Sequence, residues 1–223
     1  MTKTFAMVVS LALIVTVAVS PVWAVGDKVR GEKAAGPAGT TGGGEAEPNR
    51  GTTVGPNDQS LGVLTDEEIG HITYIREEEK LARDVYITLY EIYPEATIFQ
   101  TISESEQRHM DAIKSLIEKH GLEDPVMDYE VGVFPVPETD KETNFNDLYG
   151  NLVEQGTKSY CEALKAGIFI EETDIADIEA ALNHVTARDV SRVFNNLLSG
   201  SYNHWNAFTS QFVSADCPIE ELP

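Results

Sequence analysis

Five residues that could bind a metal ion interrupt the apolar stripes of this 223-residue sequence. They are three glutamates and two histidines: Glu79, Glu106, His109, Glu171 and His204. Each occupies a position that helical steps of three and four residues place among inward-facing apolar side chains. Burying an unpaired carboxylate costs several kcal/mol, so these groups need a common partner. A cation supplies one, because carboxylates and imidazoles that converge from facing helices are how helical bundles hold a metal pair.

The best-defined spacing is Glu-x-x-His at Glu106 and His109. Residues three apart on a helix share a face, so both side chains can reach one metal or bridge two. The pattern alone is weak, and the inward register of Glu79 and Glu171 strengthens it. Glu172 is the alternative to its neighbour Glu171. A buried carboxylate–histidine network without metal is the alternative to the whole centre.

Capping signals and apolar periodicity predict four main helices. The first begins at the capping box Thr65–Glu68 and closes at Pro94. A second capping-box pattern at Thr97 opens the next helix, and Gly121 is a good stop for it. Charged residues beside the first stripe are predicted to form a solvated face, with Glu78 as an alternative contributor to the site. This face consists of Glu77, Glu78, Lys80 and Arg83.

The third helix is predicted over about 158–183, and residues 186–189 open the fourth. Between the second and third lies 122–145, with three prolines and little helical periodicity, followed by a short candidate helix at 146–155. Short links favour antiparallel hairpins, whereas the long link can cross the length of the bundle. The predicted fold class is therefore all-α: a ferritin-like four-helix bundle with one long crossover between helices 2 and 3.

Composition excludes some classes of function. Lys and Arg number 16 against 37 Asp and Glu, so the formal net charge is −21. Such a chain is repelled by nucleic-acid phosphates and anionic lipids, and we expect no nucleic-acid partner. The acidity suits cation handling, and it suits plain solubility equally well. Cys161 and Cys217 are too few for a disulfide scaffold or a four-thiolate zinc site, and one disulfide between them is permitted but not implied.

The N-terminal segment predicts export. Residues 1–24 combine Lys3, an apolar run and a small residue at a plausible cleavage site, which is typical of a signal peptide. An uncleaved membrane anchor is the alternative, and either way the remaining chain is expected outside the cytoplasm. Residues 25–62 are rich in Gly, Pro and polar residues and predict a disordered tether. The bundle is predicted over 63–213, with a C-terminal tail over 214–223.

The strings around the candidate ligands resemble a known family. Glu79 followed seven residues later by Tyr86 is similar to the first-helix motif of ferritins and rubrerythrins, and Glu106 with His109 is similar to their second-helix motif. The strings REEEKLARDVY, SEQRHM, IEETDI and SGSYNHWNAF resemble the DUF2202 family of ferritin-like proteins, over about 63–213. By likeness to the ferritin-like superfamily, the five residues named first would be di-iron ligands. Tyr86 would be a tyrosine next to the site, either supporting a ligand or redox-active, with core packing as the alternative.

One position departs from the ferritin-like pattern. The fourth helix has Ser201 where a second Glu-x-x-His would place its Glu, three residues before His204. Three Glu leave two divalent ions with a charge of +1. A water or hydroxide bound next to Ser201 could supply the missing ligand. The carboxylate of Glu172 or of Asp174 could supply it instead. Alternatively a single ion binds, for which Fe(II), Mn or Zn are suitable.

The leading hypothesis is an exported ferritin-like metalloprotein, with two iron ions expected and Mn or Zn as alternatives. Its reaction as an oxidoreductase would be Fe(II) oxidation or peroxide reduction, with O₂ or peroxide as a partner. Glu106 would bridge the ions, His109 and His204 would be terminal ligands, and Glu79 and Glu171 would be terminal or bridging. The second hypothesis is a non-catalytic tethered bundle that binds a partner or carries metal. Homo-oligomerisation is left open.

Overall fold

The computed structural model describes residues 63–137 and 143–218. These residues contain five α-helices and no strand, which confirms the all-α class. None of these helices is long and apolar enough to cross a membrane. The predicted signal peptide at 1–24 and tether at 25–62 lie outside the described residues. The helices are α1 (Asp66–Ile92), α2 (Thr97–His120), α3 (Phe145–Gly156), α4 (Tyr160–Leu182) and α5 (Arg188–Ser214).

The capping box at the start of α1 is confirmed. Thr65 Oγ1 accepts a hydrogen bond from the Glu68 N–H at 3.2 Å, and Glu68 Oε2 accepts one from the Thr65 N–H at 2.9 Å. The capping box predicted at Thr97 is wrong, because the N-cap of α2 is Ala96 and no side chain caps that helix. Gly121 ends α2 in the left-handed region at φ 67°, where glycine carries no steric penalty.

The four long helices form a helical bundle made of two hairpins. Helix α1 packs against α2 and α4 packs against α5, while α1 also contacts α4 and α2 contacts α5. The shorter α3 lies against α1 and α4. Each short link allows only an antiparallel return, as predicted.

Two apolar clusters fill the bundle at different levels along its axis. One includes Tyr86, Leu89, Phe99, Phe208 and Phe212, all almost fully buried. The other includes residues from the opposite ends of the same four helices: Ile72, Ile113, Ile117, Ile178, Phe194 and Leu197. Between these two sets in sequence lie Glu79 on α1, Glu106 on α2, Glu171 and Asp174 on α4, and Ser201 and His204 on α5, all of them buried. The bundle therefore has a polar layer in its interior with apolar packing above and below.

The long connection between α2 and α4 contains α3 and folds back over α1. Lys80 Nζ donates to the Glu130 carbonyl at 2.7 Å and lies 4.4 Å from the centre of the Phe134 ring. The Gly132 N–H donates to Asp84 Oδ2 at 2.9 Å. Lys80 is consequently buried, with a relative exposure of 0%. Glu78 is 4% exposed on a different side of α1, where Asp174 and Asp177 of α4 act on its charge. The prediction of a solvated face is therefore wrong at both positions, because the connection covers Lys80 and α4 covers Glu78.

A disulfide joins Cys161 to Cys217, with their Cα atoms 5.6 Å apart. It connects the first turn of α4 to the segment that follows α5. Cys217 is buried and belongs to the same apolar cluster as Tyr86. The segment directly after α5 is thus held against the bundle.

Candidate metal centre

The five candidate ligands meet in the polar layer. His109 of α2 lies between two carboxylates, with its Nδ1 2.8 Å from Glu106 Oε2 and 3.1 Å from Glu79 Oε2. His204 of α5 approaches from the other side, with its Nδ1 2.7 Å from Glu106 Oε1 and 3.5 Å from Glu171 Oε2. All four long helices therefore contribute to one site, as the stripe positions predicted.

Glu106 is the central residue of this arrangement. Its two carboxylate oxygens face different imidazoles, and the rings of His109 and His204 are stacked with centroids 5.3 Å apart. One ligand atom each from Glu106, His109 and His204 lies within 4.8 Å of the other two. Three donors this close can bind a single ion, and a carboxylate with an imidazole at each oxygen can also bridge two.

Several buried atoms of the site have no hydrogen-bond partner among the described residues. They include Glu79 Oε1, Glu106 Oε1 and His204 Nδ1. The last two lie 2.7 Å apart as an ion pair, without the alignment of a hydrogen bond. Buried polar atoms in folded proteins almost always have a partner. Buried carboxylate and imidazole atoms without an aligned hydrogen bond, next to the close donor set of Glu106, His109 and His204, are suited to a cation, and the residues present therefore suit a metal.

Asp174 is a further carboxylate in this layer. Its side chain is buried, Oδ2 is hydrogen-bonded to Ser201 Oγ, and Oδ1 has no partner among the described residues. Glu172 instead lies exposed and accepts a hydrogen bond from Trp205 Nε1 at 3.0 Å, whereas Glu171 is 2% exposed. The sequence feature that points to Asp174 is its spacing from Glu171: the two are three residues apart on α4, as Glu106 and His109 are on α2. We call these six residues the central cluster: Glu79, Glu106, His109, Glu171, Asp174 and His204.

Tyr86 lies against the central cluster and is fully buried. Its hydroxyl donates to Glu171 Oε1 at 2.7 Å, and its ring packs 5.1 Å from that of Phe208. Burial and the charge of Glu171 raise the pKa of the phenol well above its ordinary value. Tyr86 thus stays neutral and acts here as a hydrogen-bond donor that orients a candidate ligand.

Two small residues position the imidazoles, and sequence reasoning did not identify either role. Ser105 Oγ lies 2.9 Å from His204 Nε2, which fixes the orientation of that ring. At Gly200 an added Cβ would collide with the His109 ring. The glycine in the middle of α5 therefore allows α2 and its histidine to approach closely.

The electrostatics of the cluster show an excess of carboxylates. Burial alone would lower the pKa of His109, but Glu79 and Glu106 outweigh it and raise the pKa to about 11. Burial and Asp174 raise the pKa of the Glu79 carboxyl well above its ordinary range. Burial likewise raises the pKa of Glu171 to about 8. Without a cation the cluster balances its charge by holding protons, and a metal ion would replace them.

The fold and the site define an all-helical protein with a buried carboxylate–histidine cluster shared by four helices. Residues 68–216 match the family described as an uncharacterized protein domain, DUF2202. The chain belongs to this family, which confirms the predicted resemblance to DUF2202.

The chain is similar to the uncharacterized protein MJ0754 of Methanocaldococcus jannaschii, with 48% identity over 145 residues. That alignment covers 65% of this chain and 75% of the relative. It is also similar to the crystal structure of hypothetical protein MJ0754 from Methanococcus jannaschii DSM 2661, with a TM-score of 0.65 and 44% identity. This match covers 70% of this chain and 85% of that one. Since neither is given an activity, function is argued from the site.

Proposed function

We propose that this protein is an exported, ferritin-like metal-binding protein whose central cluster holds iron. The observation that carries the proposal is the pair formed by Glu106 Oε1 and His204 Nδ1. These buried atoms lie 2.7 Å apart as a close ion pair, His204 Nδ1 also lies 3.5 Å from Glu171 Oε2, and neither atom makes an aligned hydrogen bond among the described residues. In the proposed architecture α1, α2, α4 and α5 form a ferritin-like four-helix bundle with the long crossover between α2 and α4.

Each ligand has a role that follows from its contacts. Glu106 would be the bridging ligand, because its oxygens face separate imidazoles, and His109 and His204 would be terminal ligands. Glu79 and Glu171 would complete the ligand set. Mn and Zn are alternatives, because carboxylate and imidazole donors suit all three metals.

The surrounding residues hold the ligands in place and exclude water. Tyr86 restrains Glu171 through its hydroxyl, and Ser105 restrains the His204 ring. The apolar clusters above and below keep the layer dry, which strengthens charge interactions within it. Bound iron would supply reversible one-electron chemistry toward O₂ or peroxide, and the proposed activity is Fe(II) oxidation or peroxide reduction.

A second candidate function is metal carriage without turnover, in a domain tethered through residues 25–62. The enclosure of the site favours it, since Glu79, Glu106 and Glu171 are each no more than 2% exposed.

The test is metal analysis of protein purified without a chelating tag, followed by anaerobic titration with Fe(II). We expect bound metal in the wild type and loss of binding in Glu171→Gln. Glu172→Gln is the matched control, because its side chain is adjacent in sequence but exposed. A protein that takes up no Fe, Mn or Zn would overturn the proposal. Consumption of O₂ or peroxide by the iron-loaded protein then distinguishes an oxidoreductase from a carrier.

A further inference from the structure

We propose that Asp174 is the fourth carboxylate of the centre and that the centre therefore binds two metal ions. The inference rests on the proposed function, since it concerns the same site. It assigns to α4 the ligand that the serine at position 201 cannot provide from α5.

The position of Asp174 is the first argument. Its side chain is 5% exposed, and Oδ2 is hydrogen-bonded to Ser201 Oγ, which also lies 3.0 Å from the Leu197 carbonyl oxygen. This contact fixes the carboxylate against α5. Ser201 is itself fully buried, so its hydroxyl serves the interior of the bundle and not its surface.

The free oxygen of Asp174 is the second argument. Oδ1 is buried and has no hydrogen-bond partner among the described residues. The side chain interacts electrostatically with Glu106, His109 and His204, which belong to two other helices. A buried carboxylate oxygen without a hydrogen-bond donor is costly, and a second cation would give it a partner.

Register is the third argument. Glu171 and Asp174 are three residues apart on α4, as are Glu106 and His109 on α2 and Ser201 and His204 on α5. Such pairs put two side chains on one face, one turn apart. The short Ser201 leaves space on α5, and the hydroxyl contact shows that Asp174 extends into that space.

Charge balance is the fourth argument. The four carboxylates of Glu79, Glu106, Glu171 and Asp174 carry four negative charges, which two divalent ions neutralise. One divalent ion would leave two of these negative charges unbalanced, since the imidazoles of the central cluster must be neutral to bind metal.

The experiment measures the stoichiometry of Mn(II) binding to the full chain by calorimetry and by metal analysis after dialysis. We expect two ions in the wild type and one in Asp174→Asn, with the first ion held within about threefold of its original affinity. Ser201→Ala should weaken the second ion by about tenfold or more, as the loss of a group that orients a ligand does. Glu172→Gln should bind two ions, like the wild type.

The outcomes separate this inference from the proposed function. A wild type that binds one ion, or an Asp174→Asn variant that still binds two, overturns the inference and leaves the metal centre standing. A wild type that binds none overturns both. If Asp174→Asn does not fold, a crystal of the wild type soaked in Mn(II) decides. Two anomalous peaks about 3.5–4 Å apart, one of them bound to Asp174, support the inference, and one peak away from Asp174 overturns it.

Discussion

Charged side chains of α1 take part in two buried clusters, and the two clusters differ in whether their charges are paired within the protein. One group, here the paired cluster, consists of Arg76, Lys80, Arg83, Asp84 and Asp124. Arg76 binds Asp124 through two nitrogens at 2.9 and 3.1 Å, and Lys80 and Arg83 both bind Asp84. None of its buried side-chain atoms lacks a hydrogen bond. Cations and carboxylates satisfy one another there within the protein.

The central cluster has the opposite property. It contains four carboxylates and two imidazoles, and buried oxygens of Glu79, Glu106 and Asp174 have no hydrogen-bond partner among the described residues. The neighbouring Glu78 adds another such oxygen. Burial is therefore common to both clusters and does not distinguish a binding site from a structural one. The features that mark the central cluster as a candidate binding site are its surplus of negative charge and its buried oxygens without a hydrogen-bond partner.

The largest expected effect is in the paired cluster, from Asp84→Asn. The variant keeps the shape of the side chain but leaves Lys80 uncompensated, and Lys80 has no exposed surface. Breaking a buried ion pair by removing one partner costs about 3–5 kcal/mol. We expect a loss of that size in the free energy of unfolding, measured by urea denaturation, and the same loss with and without Mn(II).

The control for this prediction is Asp111→Asn on the exposed side of α2. Asp111 accepts a hydrogen bond from Gln107 at 2.9 Å in an exposed setting, so we expect a change below about 0.5 kcal/mol. An Asp84→Asn loss that disappeared on adding metal would place Asp84 in the metal site and remove the contrast between the clusters.

The sequence predicted the central cluster better than the paired one. Glu79, Glu106 and His109 interrupt apolar stripes, and an interrupted stripe is visible in one dimension. Lys80 and Asp84 are buried because residues from the 126–137 segment fold over them, as the contacts of Glu130 and Gly132 show. A covering segment about 50 residues away in the chain leaves no periodic signal on the helix that it covers.

Asp174 illustrates a second limit of stripe reasoning. A helical step of four residues from Glu171 leads to Ile175, yet Asp174 is buried and Ile175 is only partly so. Helix α4 contacts α1, α3 and α5, so its buried surface is wide. Adjacent residues on a helix differ by about 100° in direction. On a helix covered from three sides, spacing alone does not separate neighbouring positions.

A smaller effect is expected from Glu68→Ala, in a carboxylate whose partners are neutral. Burial would raise the Glu68 pKa, but N–H groups of Thr65, Thr186 and Ala187 outweigh it and lower the pKa to about 2. One carboxylate thus caps α1 and also holds the residues that precede α5. Losing these bonds should cost on the order of 1–3 kcal/mol at pH 7.

The pH dependence of that loss follows from the direction of the shift. The ordinary pKa is 4.5 and the folded value about 2, so the stabilisation is complete above about pH 4.5. It decreases as the pH falls toward 2, because the unfolded chain takes up the proton first. Urea denaturation between pH 7 and pH 2.5 should show the difference between wild type and Glu68→Ala narrowing with acid. A constant difference would mean that packing, not charge, is responsible.

The smallest effect on the metal-free protein is expected from Glu79→Gln, although Glu79 is as buried as Asp84. Burial and Asp174 raise the pKa of the Glu79 carboxyl, glutamine matches its shape, and in the variant His109 keeps its contact with Glu106 at 2.8 Å. The amide oxygen can still accept the hydrogen bond from His109. Without metal we therefore expect a change in unfolding free energy below about 1 kcal/mol, of either sign.

With Mn(II), the wild type should gain stability as the metal concentration rises above its dissociation constant, and Glu79→Gln should gain much less. Equal gains in stability on adding Mn(II) would remove Glu79 from the ligand set. If metal-free Glu79→Gln instead lost as much unfolding free energy as Asp84→Asn, the two clusters would be stabilised in the same way.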